Sequence, residues 1–211
     1  CDLLIIGAGP SGLAAALTAG RAGAQVIIAD EDFLLGGRLN SEILTIGQDA
    51  ASVWAASAVA ELRSMQNVRV MSRTTIIGAF DHGIYGAVER LSDHLAEPED
   101  GKPRQILWRI YSKRAILAAG ATERPISFHM NDRPGIILAA SMRAYANRWA
   151  VTPAHSIAVF TNNDDGHRTA TDLHAKGVSI VAVVDTRLNA PTSNVYETIA
   201  GGQITNTQGR L

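Results

Sequence analysis

The stretch Gly7-Ala8-Gly9-Pro10-Ser11-Gly12 restricts this chain more than any other, because three glycines at that spacing fit a sharp turn between a strand and a helix. Before it, Leu3-Leu4-Ile5-Ile6 has the length and apolarity of a parallel strand covered on both faces. After it, Leu13 to Ala22 is rich in Ala and Leu and Gly23 supplies a stop, so a helix opens at the turn. Gly7 permits the turn, Gly9 lets the backbone approach a pyrophosphate, and Gly12 lets helix and strand pack closely. The pyrophosphate lies at the positive end of the helix dipole, so Pro10 and Ser11 count among the lining residues. A second strand, Gln25 to Ala29, ends at Asp30-Glu31-Asp32, where a carboxylate can accept hydrogen bonds from ribose hydroxyls. Strand, turn, helix, strand and acid in that order make this a dinucleotide site, where the hexad alone would be no more than a tight turn.

The chain has 211 residues, 46% of them hydrophobic, which is enough to bury one large core or two small ones. Lys and Arg number 19 against 20 Asp and Glu, so no basic field gathers nucleic acid or anionic lipid, and neither is expected as a partner. No apolar run approaches the ~20 residues of a membrane span. The single cysteine, Cys1, can form neither an internal disulfide nor a metal cluster, which fits a reducing cytoplasm. A chain opening at Cys1 directly on its first strand reads as a piece cut from a longer polypeptide.

Beyond Asp32, the double glycine Gly36-Gly37 before Arg38 allows a close backbone approach to a ligand. Val53, Trp54, Ala58, Val59 and Leu62 recur at helical spacing between Ala50 and Met65, with Trp54 expected in the core. Asn67 to Met71 reads as a third parallel strand. Thr74 to Phe80 reads as another, and its Ile77 reaches toward the place of an adenine. A long hairpin or meander over residues 82–111 carries an acidic tip, Glu97-Pro98-Glu99-Asp100, that reads as a solvated loop. Lys113 to Ala119 returns the chain to the first sheet, running into Ala119-Gly120 beside the dinucleotide. The expected fold is α/β: a three-layer ββα dinucleotide-binding domain of Rossmann type over residues 1–127, with a parallel sheet and an inserted β-meander.

Residues 128–211 are expected to form a partial second unit of the same type. Ser156 to Phe160 is its first strand, Asp165 to Lys176 its helix, and Val178 to Val184 its second strand, ending at an unused Asp185. Its turn, Thr161-Asn162-Asn163-Asp164-Asp165-Gly166, has lost most of the glycines and sets Asp164 and Asp165 against any phosphate, so it should bind no dinucleotide. Thr205 to Leu211 stops where a further strand should pair.

Taken together, Cys1 to Asp32, Gly120-Ala121-Thr122-Glu123-Arg124-Pro125, Asn131-Asp132-Arg133-Pro134-Gly135-Ile136 and Val159-Phe160-Thr161-Asn162-Asn163-Asp164 resemble the alpha subunits of heterotetrameric sarcosine oxidases. The resemblance runs along essentially the whole chain. It implies the central nucleotide-binding portion of a longer subunit, in an oxidase complex with beta, gamma and delta partners that demethylates sarcosine. It implies FAD and covalently attached FMN in the wider complex, and NAD held in this portion as a tightly bound, non-redox ligand. By position the NAD is lined by Ser11, the run Asp30-Glu31-Asp32, Gly37, Arg38 and Ile77.

Two other readings stay open: the same site holding FAD in a catalytic amine or opine oxidoreductase, and a structural module with a vestigial site. A disulfide reductase is excluded for want of a Cys-x-x-Cys pair. No catalytic residue and no metal site can be assembled from spacing. The six histidines, His82, His94, His129, His155, His167 and His174, stand singly and read as surface residues.

Overall fold

The computed structural model describes residues 1–97, 101–152 and 154–202 and the backbone of 205–206 and 209–210. In chain order the elements are β1 (Leu3–Ile6), α1 (Pro10–Arg21), β2 (Val26–Ala29), β3 (Thr45–Ile46), β4 (Asp49–Ala50), α2 (Ala51–Ser64), β5 (Val68–Met71), β6 (Thr74–Phe80), β7 (Ile84–Arg90) and β8 (Gln105–Tyr111). They continue with β9 (Arg114–Leu117), α3 (Ala139–Arg148), β10 (Ser156–Thr161), α4 (Asp164–His174), β11 (Ser179–Asp185), β12 (Thr198–Ala200), β13 (Thr205–Asn206) and β14 (Gly209–Arg210).

Two compact units result. Unit 1 comprises Cys1–Asn40 and Leu44–Ala121, and unit 2 comprises Ser41–Ile43 and Thr122–Leu211. The division at Ala121/Thr122 precedes the expected 127/128 break, because the Glu123 carboxylate already accepts hydrogen bonds from the first N–H groups of α3, at Ala139 (3.3 Å) and Ala140 (2.8 Å).

Unit 1 has three layers. Its parallel sheet runs β5-β2-β1-β9. Leu4 and Ile5 are consecutive on β1 and therefore face opposite sides, yet both are fully buried. Ile5 packs in the cluster built with α1 and α2, including Leu13, Leu17, Ala55 and Leu62. Leu4 packs with Ala87 and Ile110 of an antiparallel layer, β6-β7-β8. That meander begins at Thr74, not at residue 82, since β6 pairs with β7 from Thr74↔Glu89 to Phe80↔Ile84. Trp54 packs against the helix-side core as expected. Val53 does not; it is 53% exposed because α2 turns it to solvent while Ala51, Ala55, Ala58 and Leu62 face inward.

Unit 2 has a parallel sheet in the order β10-β11-β12. Met142 and Ala146 of α3 and Ala170 and Leu173 of α4 bury against Val159, Ile180 and Val183 of the sheet. The third strand, Thr198–Ala200, pairs parallel with β11 and went unread in the sequence. At the C-terminus Thr205–Asn206 pairs antiparallel with Gly209–Arg210; the remaining positions of that stretch, like Pro98 to Asp100 of the acidic tip, lie outside the described residues. Among the described residues no helix is long and apolar enough to cross a membrane, and no group of three or more His, Cys, Asp or Glu could hold a metal ion.

Candidate dinucleotide-binding site

Gly7, Asp30 and Ala119-Gly120 follow the carboxyl ends of three adjacent strands, β1, β2 and β9, whose registers run Ile6↔Ala29 and Ile6↔Leu117. That edge of an open parallel sheet is where ligands bind in this architecture. Gly7 has φ +100°, a left-handed conformation that favours glycine, and a Cβ there would drive into the carbonyl oxygen of Ala118. Gly12 lies on the first turn of α1, and a Cβ on it would drive into the carbonyl oxygen of Gly7. Both glycines are therefore demanded by the fold itself.

Gly9 is different. It is the N-cap of α1 at φ −71° and ψ −173°, an extended conformation any residue adopts, and a Cβ built there meets no atom within 4 Å. Nothing in the packing requires glycine at this position. The helix it caps has no side-chain cap and no acidic residue in its first turn. Pro10 occupies the start of the helix, where its missing N–H costs nothing, and Ser11 beside it is exposed. The second glycine pair stands against this turn: a Cβ on Gly37 would lie 3.0 Å from Gly9 Cα, and Gly36 N–H donates to the Ala8 carbonyl at 2.9 Å. Arg38 follows, exposed on the 3-10 turn Gly37–Asn40.

Asp30 performs a task that spacing did not reveal. Its Oδ2 accepts from Ala8 N–H at 2.6 Å and its Oδ1 from Asp32 N–H at 2.9 Å, so the carboxylate holds the glycine turn and its own loop together. The Asp30 carbonyl also accepts from Thr74 N–H at 2.8 Å, tying β6 to the end of β2. Glu31 is exposed and Asp32 half-buried. Ile77 stands apart from this group. It sits on the antiparallel layer at a bulge between Ile76 and Gly78, 58% exposed and beside Gly86. Three residues of strand separate it from Thr74, about 10 Å.

Unit 2 repeats the strand-turn-helix framework, with side chains of its own around the turn. By spacing, Thr161, Asn163 and Gly166 occupy the places of Gly7, Gly9 and Gly12. Asn163 caps α4, its Oδ1 accepting from Asp165 N–H (3.0 Å) and Gly166 N–H (3.4 Å). A Cβ on Gly166 would meet the Thr161 side chain. Asp185, at the end of β11 where Asp30 ends β2, is fully buried and not unused as expected. Arg187 grips it with Nη2 at 2.7 Å and Nε at 3.1 Å and reaches Asp164 at 2.8 Å. Those bonds from Arg187 first, aided by His167, hold the Asp185 carboxyl well below the usual carboxylate range against the opposing effect of burial. His167 is 6% exposed, not at the surface, with Nε2 2.8 Å from Asp185 and Nδ1 3.2 Å from the Tyr196 hydroxyl. A carboxylate ending a strand, with a histidine on the inner face of the helix before it, was the signal for this network. Beside the turn is a cleft of about 380 Å³ lined by Glu123, Arg124, Phe160, Asn162 and Asp165 among others.

Comparison with known proteins bears on this geometry. Residues 2–89 match the family model described as FAD dependent oxidoreductase. The chain is 54% identical over 187 residues to sarcosine oxidase subunit alpha of Rhizobium meliloti (strain 1021), covering 89% of this chain and 19% of that protein. The chain is a homologue of the sarcosine oxidase alpha subunits. A second such subunit, from Corynebacterium sp. (strain P-1), is 40% identical over 206 residues, 96% of this chain and 21% of that protein. The chain thus spans about a fifth of the length of these curated relatives. Among solved structures, L-proline dehydrogenase from P. horikoshii superimposes with a TM-score of 0.70 at 24% identity, over 92% of this chain and 37% of that one, a likeness of fold.

Proposed function

We propose that this chain is the dinucleotide-binding portion of the alpha subunit of a sarcosine oxidase complex, with NAD held at the Gly7–Gly12 turn. Gly9 carries the reading: a glycine that neither backbone conformation nor packing requires, at the uncapped start of a helix, leaves room where a pyrophosphate belongs. Pro10, Ser11 and Gly12 on the helix start, Gly7, Ala119 and Gly120 on the strand ends, and Gly37 and Arg38 opposite would line it. Asp30 to Asp32 would face the ribose, and Ile77 the adenine side. A bound dinucleotide would add hydride chemistry only if its ring met a substrate, and here it serves as a held, non-redox ligand. FAD and FMN would sit elsewhere in a complex with beta, gamma and delta subunits, in the cytoplasm, which converts sarcosine to glycine, formaldehyde and hydrogen peroxide.

A second reading places FAD at the same turn, favoured by the match of residues 2–89 to the FAD dependent oxidoreductase model. Both dinucleotides present the same adenosine diphosphate half to the glycine turn. Denaturing the purified full-length subunit and identifying the released ligand by absorbance and mass spectrometry separates them. NAD supports the first reading, FAD the second, and a protein that releases neither would sink both.

A further inference from the structure

Arg73 of unit 1 has φ +52°, in the left-handed region that favours glycine and costs other residues free energy. An outlier kept in place by a residue other than glycine points to a task for its side chain. Backbone bonds fix Arg73 against the acidic run: its N–H donates to the Asp32 carbonyl at 3.0 Å, and on either side Asp30 N–H donates to the Met71 carbonyl (3.0 Å) and Thr74 N–H to the Asp30 carbonyl (2.8 Å). The Arg73 carbonyl accepts from Arg90 N–H at 2.9 Å, which ties the same turn to the end of β7. Its guanidinium lies over the ring of Phe33, with Cζ 5.1 Å from the centroid, and Phe33, directly after the acids, is 47% exposed. Among the described residues no carboxylate pairs with Arg73 and no side-chain N–H of it is hydrogen-bonded. The guanidinium is placed by an aromatic ring, and its donors are left for something else.

In the sheet order β5-β2-β1-β9, β5 lies on the side of β2 away from β1. Arg73, which follows β5, is therefore beyond the acids as seen from the glycine turn, two strand spacings or about 10 Å from the line of β1. A dinucleotide with its pyrophosphate at the start of α1 and its ribose at Asp30 to Asp32 carries its base outward in that direction. Ile77 lies further along β6, beyond Thr74. We propose that Arg73, stacked on Phe33, is the residue that receives the adenine, presenting a planar guanidinium to a planar base. This rests on the reading of Gly7–Gly12 as the dinucleotide site, whichever dinucleotide fills it, because NAD and FAD share the adenosine diphosphate half.

The test titrates the full-length subunit, freed of ligand, with ADP by calorimetry and pairs each titration with a thermal melt. Arg73→Gly deletes the side chain while easing the left-handed backbone, so the ligand-free melt should hold at the wild-type value while the Kd for ADP rises about tenfold. Arg73→Lys keeps the charge without the plane and should weaken ADP nearly as much. Phe33→Ala, which removes the ring under the guanidinium, should raise the Kd about threefold. Wild-type affinity in Arg73→Gly, full recovery in Arg73→Lys, or a collapsed melt in Arg73→Gly overturns the stacking role. A Gly9→Val variant separates the two levels of inference. If it abolishes ADP binding while Arg73→Gly binds normally, the Arg73 assignment alone falls; if it binds ADP like the wild type, the site was misplaced and both fall.

Discussion

Substituting Gly9 with valine asks directly whether the turn is built for a ligand or for the fold. The backbone there is extended, and no atom lies within 4 Å of an added Cβ, so neither backbone strain nor a Cβ clash opposes the substitution. The structural cost reduces to exchanging a glycine N-cap for a poorer one, about 1 kcal/mol. In a unit of this size that lowers the melting temperature by a few degrees, roughly 4 to 8 °C. The ligand loses far more. Displacing a phosphate from the helix start forfeits at least about two charge-assisted hydrogen bonds of roughly 1.5–3 kcal/mol each, or two decades and more in affinity. Gly12→Val is the contrast, because its Cβ meets the carbonyl of Gly7 and should fail to fold before binding is at issue. The assay pairs ligand stoichiometry after denaturation with a thermal melt of the ligand-free protein. Gly9→Val should melt close to the wild type and carry no dinucleotide. Wild-type ligand content, or a melt as damaged as that of Gly12→Val, would refute the reasoning.

The turn at Asp30-Glu31 should select the unphosphorylated dinucleotide: two like charges about 4 Å apart at an effective dielectric of about 20 repel by roughly 4 kcal/mol, near a thousandfold in affinity. Because Asp30 also holds Ala8 N–H, Glu31→Ala is the cleaner variant, and competitive titration should find its preference for NAD over NADP narrowed; wild-type protein that retains NADP as well as NAD would count against this. The Thr161 to Gly166 turn should stay empty at high NAD, so calorimetry should find at most one dinucleotide per chain, and a second site of comparable affinity would contradict the internal capping by Asn163. Asp185 has a folded-state pKa below its unfolded value of about 3.9, so its stabilising contribution is full at neutral pH and drains away as acidification passes through that unfolded value toward the folded one. Melts of unit 2 should therefore fall below about pH 4, and Asp185→Asn should both lower the neutral-pH melt and flatten that fall; an unchanged profile would mean the pair with Arg187 carries no stability.

What the sequence disclosed was whatever depends on local spacing. The hexad, the acid after the second strand and the returning Ala119-Gly120 are each set by neighbours in the chain, and the structure brings them to one sheet edge. What it concealed depends on distant partners. Asp30 reads identically whether it faces a ribose or its own loop, and its bond to Ala8 is visible only once β1 and β2 lie side by side. His167 reads as one more polar residue on a helix until β11 brings Asp185 beneath it. Thr198–Ala200 is too short to announce a strand without β11 to pair with. Glu42 belongs by sequence to one unit and by packing to the other, a fact no periodicity records.

The Arg187 grip on Asp185 separates the two halves of the chain in their response to supply. Unit 2 carries counter-charges in its own side chains, so on the proposed reading its stability would not depend on the supply of dinucleotide. On the proposed reading, unit 1 leaves the uncapped start of α1 to be completed by a dinucleotide from solution, and its stability would then grow with the logarithm of free ligand over Kd. When dinucleotide runs short, the glycine turn and the loop facing it are where the polypeptide first softens, and there a protease would find newly made subunit that had not yet acquired its ligand.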